Sequence, residues 1–186
     1  MKISIVSAMA ALLISSTLTI SATTEPSDPM PAFTPGARIL FQGDSITDMN
    51  RGRTSDPNHI LGHSYAFLIG AKFGSEFPER KLVFINRGVG GNKLADMAGR
   101  WQHDTLDMKP DILSILIGIN DLNQKVSAED YEKQYDQLLT DTVKALPNVR
   151  LVLCEPFGLP VGHFKGGLGE ASRRPGSSPG HRAKAG

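Results

Sequence analysis

Ile112-Leu113-Ser114-Ile115-Leu116-Ile117 is the stretch that leaves this chain the fewest choices. It is apolar at odd and even positions alike, as a central strand of a parallel sheet, buried on both faces, has to be. Three other short apolar runs read as its companions: Arg38-Ile39-Leu40-Phe41, Leu82-Val83-Phe84-Ile85 and Val149 to Cys154. Helical patterns separate them. Over Ser64 to Phe77, residues Tyr65, Leu68, Ile69 and Phe73 share a face, and Pro78 marks the exit. Leu94 to Leu106 reads as a second helix with Trp101 inward. Ser127-Ala128-Glu129-Asp130 has the form of a capping box, and the helix it opens carries Tyr131, Tyr135, Leu138, Leu139 and Val143 until Pro147-Asn148 stops it. The order βαβαβαβ predicts an α/β fold: a parallel sheet with helices on both faces and right-handed crossovers.

The first three strands each run out into small and polar residues, which a parallel sheet gathers on one edge, where open α/β sheets bind ligands. The first ends in Gly43-Asp44-Ser45-Ile46. The glycine permits a tight turn that exposes the Ser45 hydroxyl as a candidate nucleophile. The same serine also reads as an N-cap opening a helix. It is not the G-x-S-x-G elbow, because no glycine follows two residues on. The second strand ends in the glycine-rich Asn86-Arg87-Gly88-Val89-Gly90-Gly91-Asn92, and the third in Gly118-Ile119-Asn120-Asp121. A hydroxyl, a glycine N–H and a neutral carboxamide at one edge suit acyl transfer. The hydroxyl attacks an ester carbonyl, and the N–H groups meet the oxyanion.

The chain has 186 residues and a net charge of +1, so nothing in its charge points to nucleic acid or to an anionic membrane surface. With 40% hydrophobic and 21% charged residues, one ordinary globular domain is expected. Residues 1–22, with Lys2 before an apolar run diluted by Ser and Thr, read as a signal peptide. That implies a secreted or periplasmic protein without stable membrane insertion. Residues 23–36 carry four prolines and read as a linker. Cys154, the single cysteine, sits in an apolar run and reads as an inert buried thiol. His59 and His63, with Asp56, have metal-like spacing but lack H-E-x-x-H, so no metal is expected.

Together the three blocks resemble the SGNH (GDSL-like) hydrolases, in order and strand context, from about Arg38 to Glu155. The second block and Arg100-Trp101 are similar to the carbohydrate acetylesterase branch. The resemblance implies a three-layer α/β/α, flavodoxin-like sheet. It further implies Ser45 as nucleophile, with the Gly91 N–H and the Asn120 side chain as oxyanion donors, and it assigns Asp44 and Asn92 to substrate binding. An acylated carbohydrate or other small ester is the implied substrate, and no cofactor is needed. Lysophospholipase or thioesterase activity is the alternative within the family.

The sequence departs from the family after Gly162. The late Asp-x-x-His block, whose histidine takes the serine's proton, has no counterpart there. Of the five histidines only His59 has an aspartate three residues before it, and Asp56-Pro57-Asn58-His59 follows the nucleophile turn rather than a late strand. Residues 37–162 are therefore expected to form a C-terminally incomplete hydrolase domain. Residues 163–186, basic and rich in glycine, are expected to be disordered or out-of-frame sequence, with a natural basic tail as the alternative. A catalytically impaired glycan-binding remnant is the corresponding functional alternative. The sequence gives no oligomeric state.

Overall fold

The computed structural model describes residue 28, residues 30–54 and residues 58–156. The stretch read as a signal peptide, part of the linker and the tail after Gly162 lie outside these. No helix among the described residues is long and apolar enough to cross a membrane.

In chain order the elements are β1 (Arg38–Gly43), α1 (Ser45–Asp48), α2 (Tyr65–Glu76), β2 (Val83–Asn86), α3 (Leu94–Gly99), β3 (Ile112–Leu116), α4 (Ile119–Asn123), α5 (Ala128–Ala145) and β4 (Arg150–Cys154). The strands pair in parallel in the order β2-β1-β3-β4. The chain thus leaves β1 toward one side, then returns to add β3 on the other. That reversal is the topological switch point at which doubly wound sheets open a crevice beyond their carboxyl ends.

Alternate residues of β1 serve two cores, which is why its apolar run is continuous. Ile39 and Phe41 pack with Ala66 of α2 and with Ile112. Leu40 packs on the other face with Leu94 and Met97 of α3, Leu113, Ile115 and Leu138 of α5. The three layers expected from the sequence are present, and every residue of β3 is buried.

Three local readings are corrected. On α2, Tyr65 and Ile69 pack on the core as expected, but Leu68 is 65% exposed, and the fully inward residues are Ala66 and Gly70, small enough to let the helix lie close to the sheet. On α5, Val143 is exposed while its neighbour Thr142 is fully buried. Thr142 Oγ donates to the Leu138 carbonyl and accepts from Trp101 Nε1 at 2.9 Å, so a hydroxyl, not a methyl, fills that place in the stripe. The helix read over Leu94 to Leu106 is broken. α3 stops at Gly99, and a single wide turn, Gln102–Leu106, follows. Wide turns of this kind concentrate at functional sites, and this one carries two groups that the crevice uses.

Candidate active site

β1 delivers Ser45 directly. Gly43 ends the strand, and the Asp44 carboxylate caps α1 by accepting the Ile46 N–H at 2.9 Å. Ser45 is the first residue of that turn and is exposed. The N-cap is therefore Asp44, which frees Ser45 from the capping role. Among the described residues the Ser45 hydroxyl has no hydrogen-bond partner. Gly43 is required by crowding: a Cβ there would run into the Leu116 carbonyl and the Thr47 hydroxyl. Gly43→Ala is expected to destabilise the fold by about 3 kcal/mol, the cost of overpacking against backbone, as read by urea unfolding.

Asp44, assigned from the resemblance to substrate binding, is 1% exposed and spends its carboxylate on the cap.

The β2 turn lies beside Ser45. A Cβ built on Gly90 would stand 3.8 Å from Ser45 Cβ. Within this turn the backbone N–H groups are not equivalent. That of Gly88 donates to Asn86 Oδ1 and that of Gly90 to Asp48 Oδ2, both at 2.9 Å. The Gly91 N–H meets no acceptor among the described residues, and Gly91 is exposed with φ +80°, a left-handed conformation that any side chain would strain. Of the glycines in this turn, it is the one with an N–H to offer.

Asn120 closes the other side. It stands in the first turn of α4, just past β3, and its Nδ2 donates to the Asn92 carbonyl at 2.9 Å. That bond fixes the plane of the carboxamide and leaves the second amide proton for another acceptor. The adjacent Asp121 accepts the Leu94 N–H with both carboxylate oxygens at 3.1 Å, so β3 and the β2 turn are tied twice. The Gly90–Asn92 turn thus approaches Ser45 at Gly90 and is bonded to Asn120 at Asn92.

Arg100 holds this arrangement from behind. Its Nε donates to Asn92 Oδ1 at 2.8 Å, and its Nη1 reaches the Arg87 carbonyl, Asp104 Oδ2 and Gln42 Oε1 at 2.8, 2.9 and 3.1 Å. Gln42, fully buried, donates in turn to the Asp104 carbonyl and Thr105 Oγ in the wide turn. Asn92 is therefore a brace through both its side chain and its carbonyl. The sequence reading missed Gln42, Asp48 and Asp121; a glutamine ending an apolar strand was the one visible hint.

Charge under the site is divided. Burial presses most on Asp48, but Arg53 and the N–H groups of Gly90 and Arg51 outweigh it and hold its carboxyl below the usual range. Burial is likewise the largest influence on Asp104, and Arg100 overcomes it to the same effect. Burial raises Asp44 and Asp121, and the Asp121 charge adds to the effect at Asp44. The signs are opposite. Asp48 and Asp104 contribute stability that is full above 3.8 and is lost as pH falls below it, whereas ionising Asp44 and Asp121 costs the fold as pH rises above 3.8. Asp48→Asn is expected to weaken the protein at neutral pH and to flatten its loss of stability below pH 3.8, as followed by urea unfolding across that range.

A model of the GDSL-like lipase/acylhydrolase family matches residues 41–176, which runs past Gly162. An acetylxylan esterase from Geobacillus stearothermophilus is 31% identical over 134 residues, covering 66% of this chain. The chain spans 60% of the length of that curated relative. A crystal structure of a putative GDSL-like lipase from Parabacteroides merdae superposes with a TM-score of 0.66 at 38% identity, covering 69% of this chain and 63% of that one. A catalytic mutant of Axe2, an acetylxylan esterase from Geobacillus stearothermophilus, gives a TM-score of 0.65 at 29% identity, over 75% of this chain and 70% of that one. The Axe2 catalytic mutants among the similar structures exchange a serine, an aspartate or a histidine.

Proposed function

The chain belongs to the GDSL-like lipase/acylhydrolase family, and on that premise we propose that it is an esterase removing small acyl groups, acetyl above all, from carbohydrate through an acyl-enzyme on Ser45. The observation that carries this reading is the exposed Ser45 hydroxyl at the sheet's switch point, beside a turn whose Gly91 N–H is unengaged and whose far side holds Asn120.

The chemistry follows from these positions. Ser45 Oγ bonds to the ester carbonyl carbon, and the carbonyl oxygen becomes an oxyanion. Gly91 N–H, the second amide proton of Asn120 and the Ser45 N–H donate to it, each aimed at charge that exists only after attack. Collapse breaks the bond from the carbonyl carbon to the sugar oxygen; the sugar leaves as its hydroxyl, carrying the proton that Ser45 gives up to solvent, and the acyl group stays on Ser45. Water then attacks the acyl-enzyme through the same oxyanion, the bond to Ser45 Oγ breaks, the acid is released, and a proton from that water restores the Ser45 hydroxyl. The sequence written this way uses no cofactor. Acetylated polysaccharide outside the cell is the substrate most in keeping with the acetylxylan esterase likeness and with the signal-like N-terminus. Acetate release from a panel of acetylated glycans, set against long-chain esters, tests the reading. Preference for long acyl chains would replace it with a lipase.

One observation favours a second reading. Among the described residues no imidazole is hydrogen-bonded to the Ser45 hydroxyl, and His103, on the wide turn, instead leans on Asp104 at 3.3 Å. A serine without a base is a poor nucleophile. A glycan-binding protein without turnover is then the alternative, supported by glycan binding in the absence of any covalent labelling by a fluorophosphonate.

A further inference from the structure

Beside the catalytic turn, along the free edge of β2, lies a cavity of about 450 Å³ that the esterase reading leaves unused. Arg51, Arg53 and Arg87 contribute to its lining, and Ile60, Phe84 and Ile85 supply apolar wall. The cationic charge there is only partly balanced. Arg53 pairs with Asp48 at 2.6 Å, and Asp104 is taken by Arg100. Among the described residues Arg51 and Arg87 form no ion pair, although Asp48 and Asp104 lie close enough to act on Arg51, and Asp104 on Arg87. Arg51 is 9% exposed. Its Nε is spent on the Gly88 carbonyl at 2.7 Å, while its two Nη groups, which reach solvent, meet no acceptor among the described residues. Arg87 Nε is buried without a partner, and its Nη2 meets only the Met108 sulfur at 3.6 Å. A buried cationic donor without an acceptor, as Arg87 Nε is, is costly to a fold, and the open Nη groups of Arg51 are donors that an anion in the cavity would meet.

The cavity shares a wall with the active site. Arg51 holds the Gly88 carbonyl, and Arg53 holds the Asp48 carboxylate that accepts the Gly90 N–H next to Ser45. Its volume and its Ile60, Phe84 and Ile85 surface exceed what a lone inorganic ion would fill. An apolar wall suits the face of a sugar ring, and guanidinium groups suit a planar carboxylate.

We propose that this cavity is a subsite for a uronic acid, so that the substrate is an acylated glycan bearing carboxylates. The proposal rests on the esterase reading for its place in catalysis, but binding is measurable without turnover. Ser45→Ala protein titrated calorimetrically with D-glucuronate, D-glucose and inorganic phosphate separates the two. Glucuronate should bind with a dissociation constant on the order of 1 mM, and glucose should not bind. In the same background Arg51→Gln and Ile60→Glu should each weaken glucuronate by about tenfold or more, Ile60→Glu without touching the Gly88 clamp. Circular dichroism shows whether each variant is folded. No glucuronate binding by folded protein overturns the subsite, as does unchanged affinity in a folded Ile60→Glu. Phosphate binding more tightly than glucuronate overturns the uronate assignment in favour of a simple anion. Hydrolysis of 4-nitrophenyl acetate by the wild-type chain reports on the esterase reading separately.

Discussion

Ser45→Ala is expected to abolish labelling by a fluorophosphonate and to lower acetate release by at least about 10⁴-fold, the scale on which loss of a nucleophile is felt. The argument is positional. Ser45 is the exposed first residue of α1, its hydroxyl is uncommitted, and Asp44 already caps the turn. Removing Oγ should therefore leave the fold intact, and an unchanged unfolding curve is part of the expected result. Asn120→Ala should cost less, about 10² to 10³ in turnover, as loss of one oxyanion donor does elsewhere. It should also cost some stability, since the bond to the Asn92 carbonyl goes with it. Full labelling and full turnover in Ser45→Ala would move the nucleophile to another residue and end the account of the site.

Arg100→Ala should be strongly destabilising, by about 2–4 kcal/mol. A protein of this size has about 5–15 kcal/mol in all. The loss is not that of a surface ion pair. Arg100 and Asp104 side chains are 19% and 18% exposed, and the guanidinium also satisfies Gln42 Oε1, Asn92 Oδ1 and the Arg87 carbonyl. Alanine leaves a half-buried carboxylate and a fully buried amide oxygen without their donor. Lysine keeps the charge but offers one nitrogen where four acceptors lie in different directions, so Arg100→Lys should recover only part of the loss. Both variants should also slow turnover, because Asn92, and through it Asn120, loses its brace. Thermal unfolding measured alongside activity tests this. Wild-type melting in Arg100→Ala would show that the cluster carries no structural weight.

How much of this was readable in advance differs between fold and site. The strand runs were legible because burial on both faces leaves an uninterrupted apolar signal, as β1 and β3 display. Helix faces were less so. Leu68 and Val143 fit the periodicity as well as their neighbours did, and closeness to the sheet chose Ala66, Gly70 and Thr142 instead. The break after α3 was invisible, since residues 94–106 are helical in composition. What ended α3 at Gly99 is a set of bonds from Arg100 and the wide turn to Gln42, Asn92 and Asp104, residues scattered from β1 onward.

The sequence by itself determined the order of strands and helices and the three polar strand ends, because local pattern and chain direction fix those. Tertiary structure alone decided which groups at those ends are free. Gly88 and Gly90 have their N–H groups taken by Asn86 and Asp48, Asp44 is turned inward to cap, and Gly91 is left open. Hydrogen-bond partners across the fold settle that question, and a linear chain does not record who its partners will be.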